Sequence, residues 1–190
     1  MQETSPGPNA GKAEWRRWLR KMLVAINDGE TQSSRIRKQL TKDLSGDQPR
    51  CISMFSAIPG EPDLLDLITI LPAHRWVLPR IVGNELAFHQ VNHPDQLQTG
   101  SFFGIAEPPA RLPVVPISEI DLFLCPGLGF DELGIRLGRG KGFYDRALTK
   151  AKPDAPRFGI AFKEQVVPRL PADSHDVPMT RLITGADAGC

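Results

Sequence analysis

Six glycines fall in one short run, PGLGFDELGIRLGRGKGFYDR, between Pro126 and Arg146. Three of them, Gly138, Gly140 and Gly142, alternate. Glycine at every second position lets the backbone turn so that its N–H groups converge on one point. Arg136, Arg139 and Lys141 are interleaved with these glycines. A helix expected from about Gly142 adds its positive N-terminal end. The combination is a local anion trap whose natural occupant is a polyphosphate. Asp145 lies just beyond the glycines, where a carboxylate beside a phosphate cradle suits a magnesium ion. The run contains neither G-x-x-x-x-G-K-[ST] nor G-x-G-x-x-G, so it is neither a Walker A loop nor a dinucleotide fingerprint.

The elements needed to position this loop are legible around it. Trp15, Trp18, Leu19, Met22, Leu23 and Ile26 recur at spacings of three and four, which predicts a helix over 13–26 packed through those residues. A second helix is expected over 33–44, ended by Ser45-Gly46-Asp47. Buried strands are expected at 51–56, 120–125 and 158–162, with a last strand at 181–184. A hairpin is expected from 76–82 and 85–91 about Gly83-Asn84. The stretch 63–71 reads as a helix, 103–107 as a short extended piece, 126–142 as loop and 143–150 as a helix. Strands alternating with helices predict an α/β sheet with helices on both faces.

The 190 residues suit one domain, and the net charge of +1 gives no global field toward nucleic acid or a membrane. No run approaches the length of a membrane span. Cys51, Cys125 and Cys190 are widely spaced, which argues against a disulfide framework and predicts a reducing, cytoplasmic setting. Cys51 and Cys125 sit in apolar runs and are expected in the core, with Cys190 exposed. Residues 1–12 read as a disordered leader, 13–184 as the domain and 185–190 as a disordered tail. His89 and His93 lie in strand-like sequence and read as scattered surface histidines. No Ser-His-Asp or Cys-His arrangement is visible.

The run P-G-L-G-F-D-x-x-G-x-R-L-G-R-G-K-G-F-Y-D resembles the signature of the 5-formyltetrahydrofolate cyclo-ligase family. The resemblance extends from about Trp15 to Thr184. It includes Pro59-Gly60-Glu61, Phe103-Gly-Ile-Ala-Glu-Pro108, Ala161-Phe-Lys-Glu-Gln165 and His175-Asp-Val-Pro178. It implies a single-domain, Rossmann-like three-layer sandwich with a mostly parallel central sheet. It also implies ATP- and Mg²⁺-dependent closure of 5-formyltetrahydrofolate to 5,10-methenyltetrahydrofolate by a monomer. ATP phosphorylates the formyl oxygen, folate N10 attacks the activated carbon, and phosphate leaves.

Carried over, Gly138, Arg139, Gly140, Lys141, Gly142, Phe143 and Tyr144 wrap the ATP phosphates, joined by Arg136. Arg139, Lys141 and Tyr144 carry the chemistry. Arg16 and Arg20 match the family's K-x-x-L-R helix, with Arg16 where lysine is usual, and reach ATP. Glu61, Phe103, Arg139 and Phe143 meet the folate. Asp145 and Asp176 hold magnesium, and Arg80 reads as a substrate-side cation. Competing readings are a non-catalytic binder of 5-formyltetrahydrofolate or nucleotide, an RNA-binding module using the basic loop, and a sugar-phosphate isomerase on a similar fold.

Overall fold

The computed structural model describes residues 4–7, 9–46, 48–100 and 104–186, so Phe103 and Cys190 lie outside the described residues. Helices α1 (Lys12–Val24) and α2 (Gly29–Leu44) open the fold. Strand β1 (Cys51–Ser53), the one-turn helix α3 (Leu67–Ile70), and the hairpin strands β2 (Arg75–Val82) and β3 (Glu85–Gln90) follow. The short strands β4 (Gln98–Thr99), β5 (Ala106–Glu107) and β6 (Val114–Val115) lead to β7 (Leu122–Cys125). Then come β8 (Gly129–Asp131), β9 (Arg136–Leu137), α4 (Phe143–Leu148), β10 (Arg157–Ala161), β11 (Val166–Val167) and β12 (Arg181–Thr184).

The main sheet has seven strands in the order β12-β10-β7-β1-β2-β3-β6. The first five run parallel, and β3 turns back antiparallel to both β2 and β6. Alternation along each strand sorts the core into two layers. Ile52, Trp76, Leu78, Leu122, Leu124, Ile160 and Ile183 meet α2 and α3 on one face. Phe123, Cys125, Val77 and Ala161 meet α4 and Phe130 on the other. Helices therefore cover both faces, as the α/β pattern predicts. Each large side chain so buried contributes about 1.5–3 kcal/mol. A third cluster joins Trp15, Leu19 and Leu23 of α1 to Leu128, Leu137 and Leu170. It fastens α1 to a small sheet of β11, β8 and β9.

Several expected boundaries shift for identifiable reasons. Lys12, placed in the leader by sequence, is the first residue of α1. The helix expected over 63–71 shrinks to α3 because Asp63 Oδ1 accepts from Leu65 N–H at 3.0 Å and turns the chain first. The stretch 126–142 is not all loop. Buried Asp131 accepts from Leu133, Ile135 and Leu170 N–H groups at 2.9–3.0 Å, folding β8 and β9 into a hairpin. His89 is buried, its Nδ1 2.8 Å from Leu112 O, instead of lying on the surface. Among the described residues, no helix is long and apolar enough to cross a membrane.

Candidate active site

In chain order, β2 pairs on one side of β1 and the later β7 on the other. That reversal is a topological switch point, where an open α/β sheet leaves a crevice beyond its carboxyl ends. The segments leaving β1 (Phe55, Ser56) and β7 (Pro126, Gly127) both line one cleft there, of about 290 Å³. The glycine loop forms one wall and the N-terminal helix part of another. Ile58, Pro79, Ile81, Leu86 and Ile105 make the remaining lining largely apolar.

The loop is built from below by Arg136. Its side chain is buried, its Nη2 donates to Asp145 Oδ1 at 2.6 Å, and its Nη1 donates to Pro126 O at 3.4 Å. The guanidinium also lies 5.4 Å from the Tyr144 ring centroid, a cation–π distance. Arg136 thus underpins the loop, and Asp145 serves it as a counter-ion. Gly140 (φ 101°) and Gly142 (φ 66°) hold left-handed conformations that favour glycine, and Gly142 caps α4 where the sequence places a helix start. Among the described residues, the N–H groups of Arg139, Gly140 and Lys141 donate to no acceptor. Lys141 is exposed and its ammonium is likewise unpaired there.

Arg139 reaches across the cleft. Its Nε and Nη2 donate to Glu61 Oε1 at 3.2 and 2.9 Å. The Glu61 side chain is 7% exposed and that of Arg139 is 38% exposed. Burial pushes the Glu61 carboxyl above its ordinary value, against the pull of Arg139 and the Ile58 N–H group. Ile58-Pro59-Gly60-Glu61 is a turn with Gly60 at φ 87°, and Glu61 N–H donates to Ile58 O at 2.9 Å, the pattern of a type II turn. Sequence reasoning named both charged residues separately; the fold puts them in contact.

The two arginines expected from helix α1 part company. Arg16 lines the cleft, and its Nε donates to Gly138 O at 3.0 Å. Arg20, one turn on, is exposed and outside the cleft lining. One turn earlier, Lys12 enters the cleft instead and donates to Asp173 Oδ2 at 2.7 Å and Asp176 Oδ2 at 2.5 Å. Burial pushes the Asp176 carboxyl up, but Lys12 and the Asp173 N–H group outweigh it and leave it below the ordinary value.

Asp173, His175 and Asp176 place their ligand atoms within 4.8 Å of one another. Two of the three donors are carboxylates of the kind a hard divalent ion takes, and Lys12 donates to the Oδ2 atom of each. Asp145 is not in that group. Phe143 and Tyr144 both line the cleft. The Tyr144 hydroxyl is buried with no hydrogen-bond partner, and burial raises its pKa well above that of a free phenol. Arg80 is turned to buried Glu107, 3.5 Å away, and to Pro108 O at 3.1 Å. Glu107 itself lines the cleft.

Lys12, Ser56, Glu107 and Asp173 are cleft residues that sequence spacing did not single out. Lys12 had a usable signal, since it precedes Arg16 by one helical turn.

Comparison with known proteins bears on the whole of this arrangement. The sequence profile of the 5-formyltetrahydrofolate cyclo-ligase family matches residues 8–185. The chain is 39% identical over 180 residues to the 5-formyltetrahydrofolate cyclo-ligase of Haemophilus influenzae, covering 89% of this chain and 93% of that one. It is 33% identical over 176 residues to the enzyme of the same name from Mycolicibacterium smegmatis, covering 87% of each. The NMR structure of Aquifex aeolicus 5,10-methenyltetrahydrofolate synthetase superposes with a TM-score of 0.80 at 31% identity, covering 93% of this chain and 90% of that one. The matched stretch takes in every strand of the sheet and both walls of the cleft, and the chain belongs to the 5-formyltetrahydrofolate cyclo-ligase family.

Proposed function

We propose that the chain closes 5-formyltetrahydrofolate to 5,10-methenyltetrahydrofolate at the expense of ATP, releasing ADP and phosphate. The observation that carries this reading is the contact between Arg139 and Glu61. The first belongs to the anion-binding loop and the second to the apolar side of the cleft. Ligands seated on the two would therefore lie side by side in one cleft.

In this reading the loop N–H groups, Lys141 and Arg139 take the triphosphate, and Arg16 braces the loop through Gly138 O. Glu61 accepts from the N–H edge of the pterin, as a buried carboxylate does well. The formyl oxygen attacks the γ-phosphorus and ADP leaves. N10 then attacks the formyl carbon, its proton is lost, and phosphate departs with the former formyl oxygen. An amide-like oxygen is a poor leaving group, and phosphorylation makes it a good one. Catalysis is thus positioning plus neutralisation of charge on the transferring phosphoryl group. The raised pKa of Tyr144 keeps its phenol protonated, so it serves as a hydrogen-bond donor and not as a base. Asp176 with Asp173 would hold Mg²⁺, which supplies further neutralisation of the phosphates when bound.

The test follows methenyltetrahydrofolate absorbance with (6S)-5-formyltetrahydrofolate, Mg²⁺ and ATP. ATP-dependent product is expected. Binding of both ligands without product would turn the reading to a folate-holding protein.

A further inference from the structure

The first turn of α1 carries a charge in an unfavourable place. Lys12 opens the helix, where the positive end of the backbone dipole repels a cation and favours an anion. Its cap, Gly11, has no side chain with which to hold the turn. The acid pair holds Lys12 there instead. Its ammonium donates to Asp173 Oδ2 at 2.7 Å and to Asp176 Oδ2 at 2.5 Å, and its side chain is only 18% exposed. The Asp173 N–H group donates to the same Asp176 oxygen at 2.7 Å. The two carboxylates are thus engaged by a cation of the chain itself.

Oxygen ligands hold a hard divalent ion more tightly the more negative charge they bring. Two carboxylates offset by one ammonium bring little, and any ion reaching them competes with Lys12 for the same oxygens. A nucleotide alters both conditions. Its phosphates add negative oxygens around the ion and offer the ammonium another acceptor. Lys12 lies one helical turn before Arg16, whose Nε reaches the glycine loop at Gly138 O, 3.0 Å away. Lys12, Arg16, Gly138, Asp173 and Asp176 all line the one cleft. We propose that Lys12 is an internal counter-ion that keeps free divalent ions off Asp173 and Asp176 and gives way only to an ion arriving with nucleotide phosphates. This rests on the reading of the acid pair as the Mg²⁺ site given above. Lys12 then passes from carboxylate to phosphate, so that metal and nucleotide bind as one unit.

The test is equilibrium binding of Mn²⁺ to the full chain, read from the electron paramagnetic resonance of the free ion. Without nucleotide, Lys12→Met should bind Mn²⁺ at least about tenfold more tightly than wild type, the effect of removing one close like charge. Lys12→Arg keeps the charge and should gain less than about threefold. With β,γ-imido-ATP present the advantage of Lys12→Met should vanish. Adding Asp176→Asn to Lys12→Met should abolish the nucleotide-free gain. Thermal unfolding checks that each variant is folded, and Lys12→Gln is read in place of Lys12→Met where the latter is not. Mn²⁺ binding no tighter in Lys12→Met than in wild type would overturn the proposal. So would an equal gain in Lys12→Arg, or a gain that survives the nucleotide analogue or Asp176→Asn. A separate result bears on the reading beneath it: Mn²⁺ held undiminished with the analogue after Asp173→Asn and Asp176→Asn together would remove the acid pair as the metal site.

Discussion

Arg139→Ala should separate catalysis from folding. In the fold Arg139 presents two N–H groups to Glu61 Oε1 at 3.2 and 2.9 Å. In the proposed reaction the same fork stabilises charge on the transferring phosphoryl group. Removing one preorganised donor of that kind costs about 10²–10³ in kcat, or roughly 3–4 kcal/mol of transition-state stabilisation. The effect on stability should be far smaller. With the Arg139 side chain 38% exposed, its pairing with Glu61 is screened by water and contributes about 1 kcal/mol at most. For a chain of this size that is a fall of about 2–4 °C in Tm. Arg139→Lys keeps the charge but loses the fork, so an intermediate loss of about tenfold is expected. Steady-state absorbance assays and thermal unfolding of the same preparations give both numbers. A kcat within about threefold of wild type, or a loss matched by unfolding at the assay temperature, would refute the role given to Arg139.

Three further outcomes follow from the same contacts. Asp145→Ala strands the buried Arg136 guanidinium, whose side chain is 4% exposed. It should cost roughly 3 kcal/mol, or about 6–12 °C in Tm, without any metal or nucleotide present; an unchanged Tm would show that Asp145 is not its counter-ion. Glu61 titrates above the ordinary 4.5, mainly through burial, so its ionisation costs stability that is lost as pH rises through 4.5 to the folded value and stays lost above it. Glu61→Gln should therefore keep or raise Tm at pH 7 and flatten that part of the pH–stability curve. It should also raise KM for the folate roughly 10–100-fold by removing charge-assisted hydrogen bonds. Gly134→Ala meets a left-handed φ of 85° and a Cβ that lands on the carbonyl oxygen of Met179. Denaturant unfolding should show a loss of roughly 2–4 kcal/mol with the loop disturbed, although Gly134 lies outside the cleft lining.

Periodicity carried the sequence reading furthest where elements are long or wholly apolar. The helix from Trp15 and the buried strand ending at Cys125 stand close to where they were expected, because spacing of three and four, or an unbroken apolar run, has few other uses. The thiols of Cys51 and Cys125 are buried as their apolar runs predict, and burial raises their pKa values to about 11 and 12. The β8–β9 hairpin was illegible because one carboxylate, Asp131, organises it through three backbone bonds, one of them to distant Leu170. Charged residues in the glycine run were visible as a group, but their division of labour was not. Arg136 and Arg139 are three apart in sequence, yet one points down to Asp145 and the other across to Glu61. Arg20 lies outside the cleft lining and Lys12 within it for a geometric reason: only the first turns of α1 reach the cleft. Such assignments depend on which partner the fold brings near, and local pattern does not encode that.

The central claim is that one cleft couples ATP to ring closure through the formyl oxygen. The most direct measurement uses 5-formyltetrahydrofolate labelled with ¹⁸O in the formyl group and follows the mass of the phosphate released. The account predicts one ¹⁸O in the phosphate for each methenyltetrahydrofolate formed, with no release when folate is omitted. Unlabelled phosphate accompanying ring closure, or phosphate released without product, would contradict it.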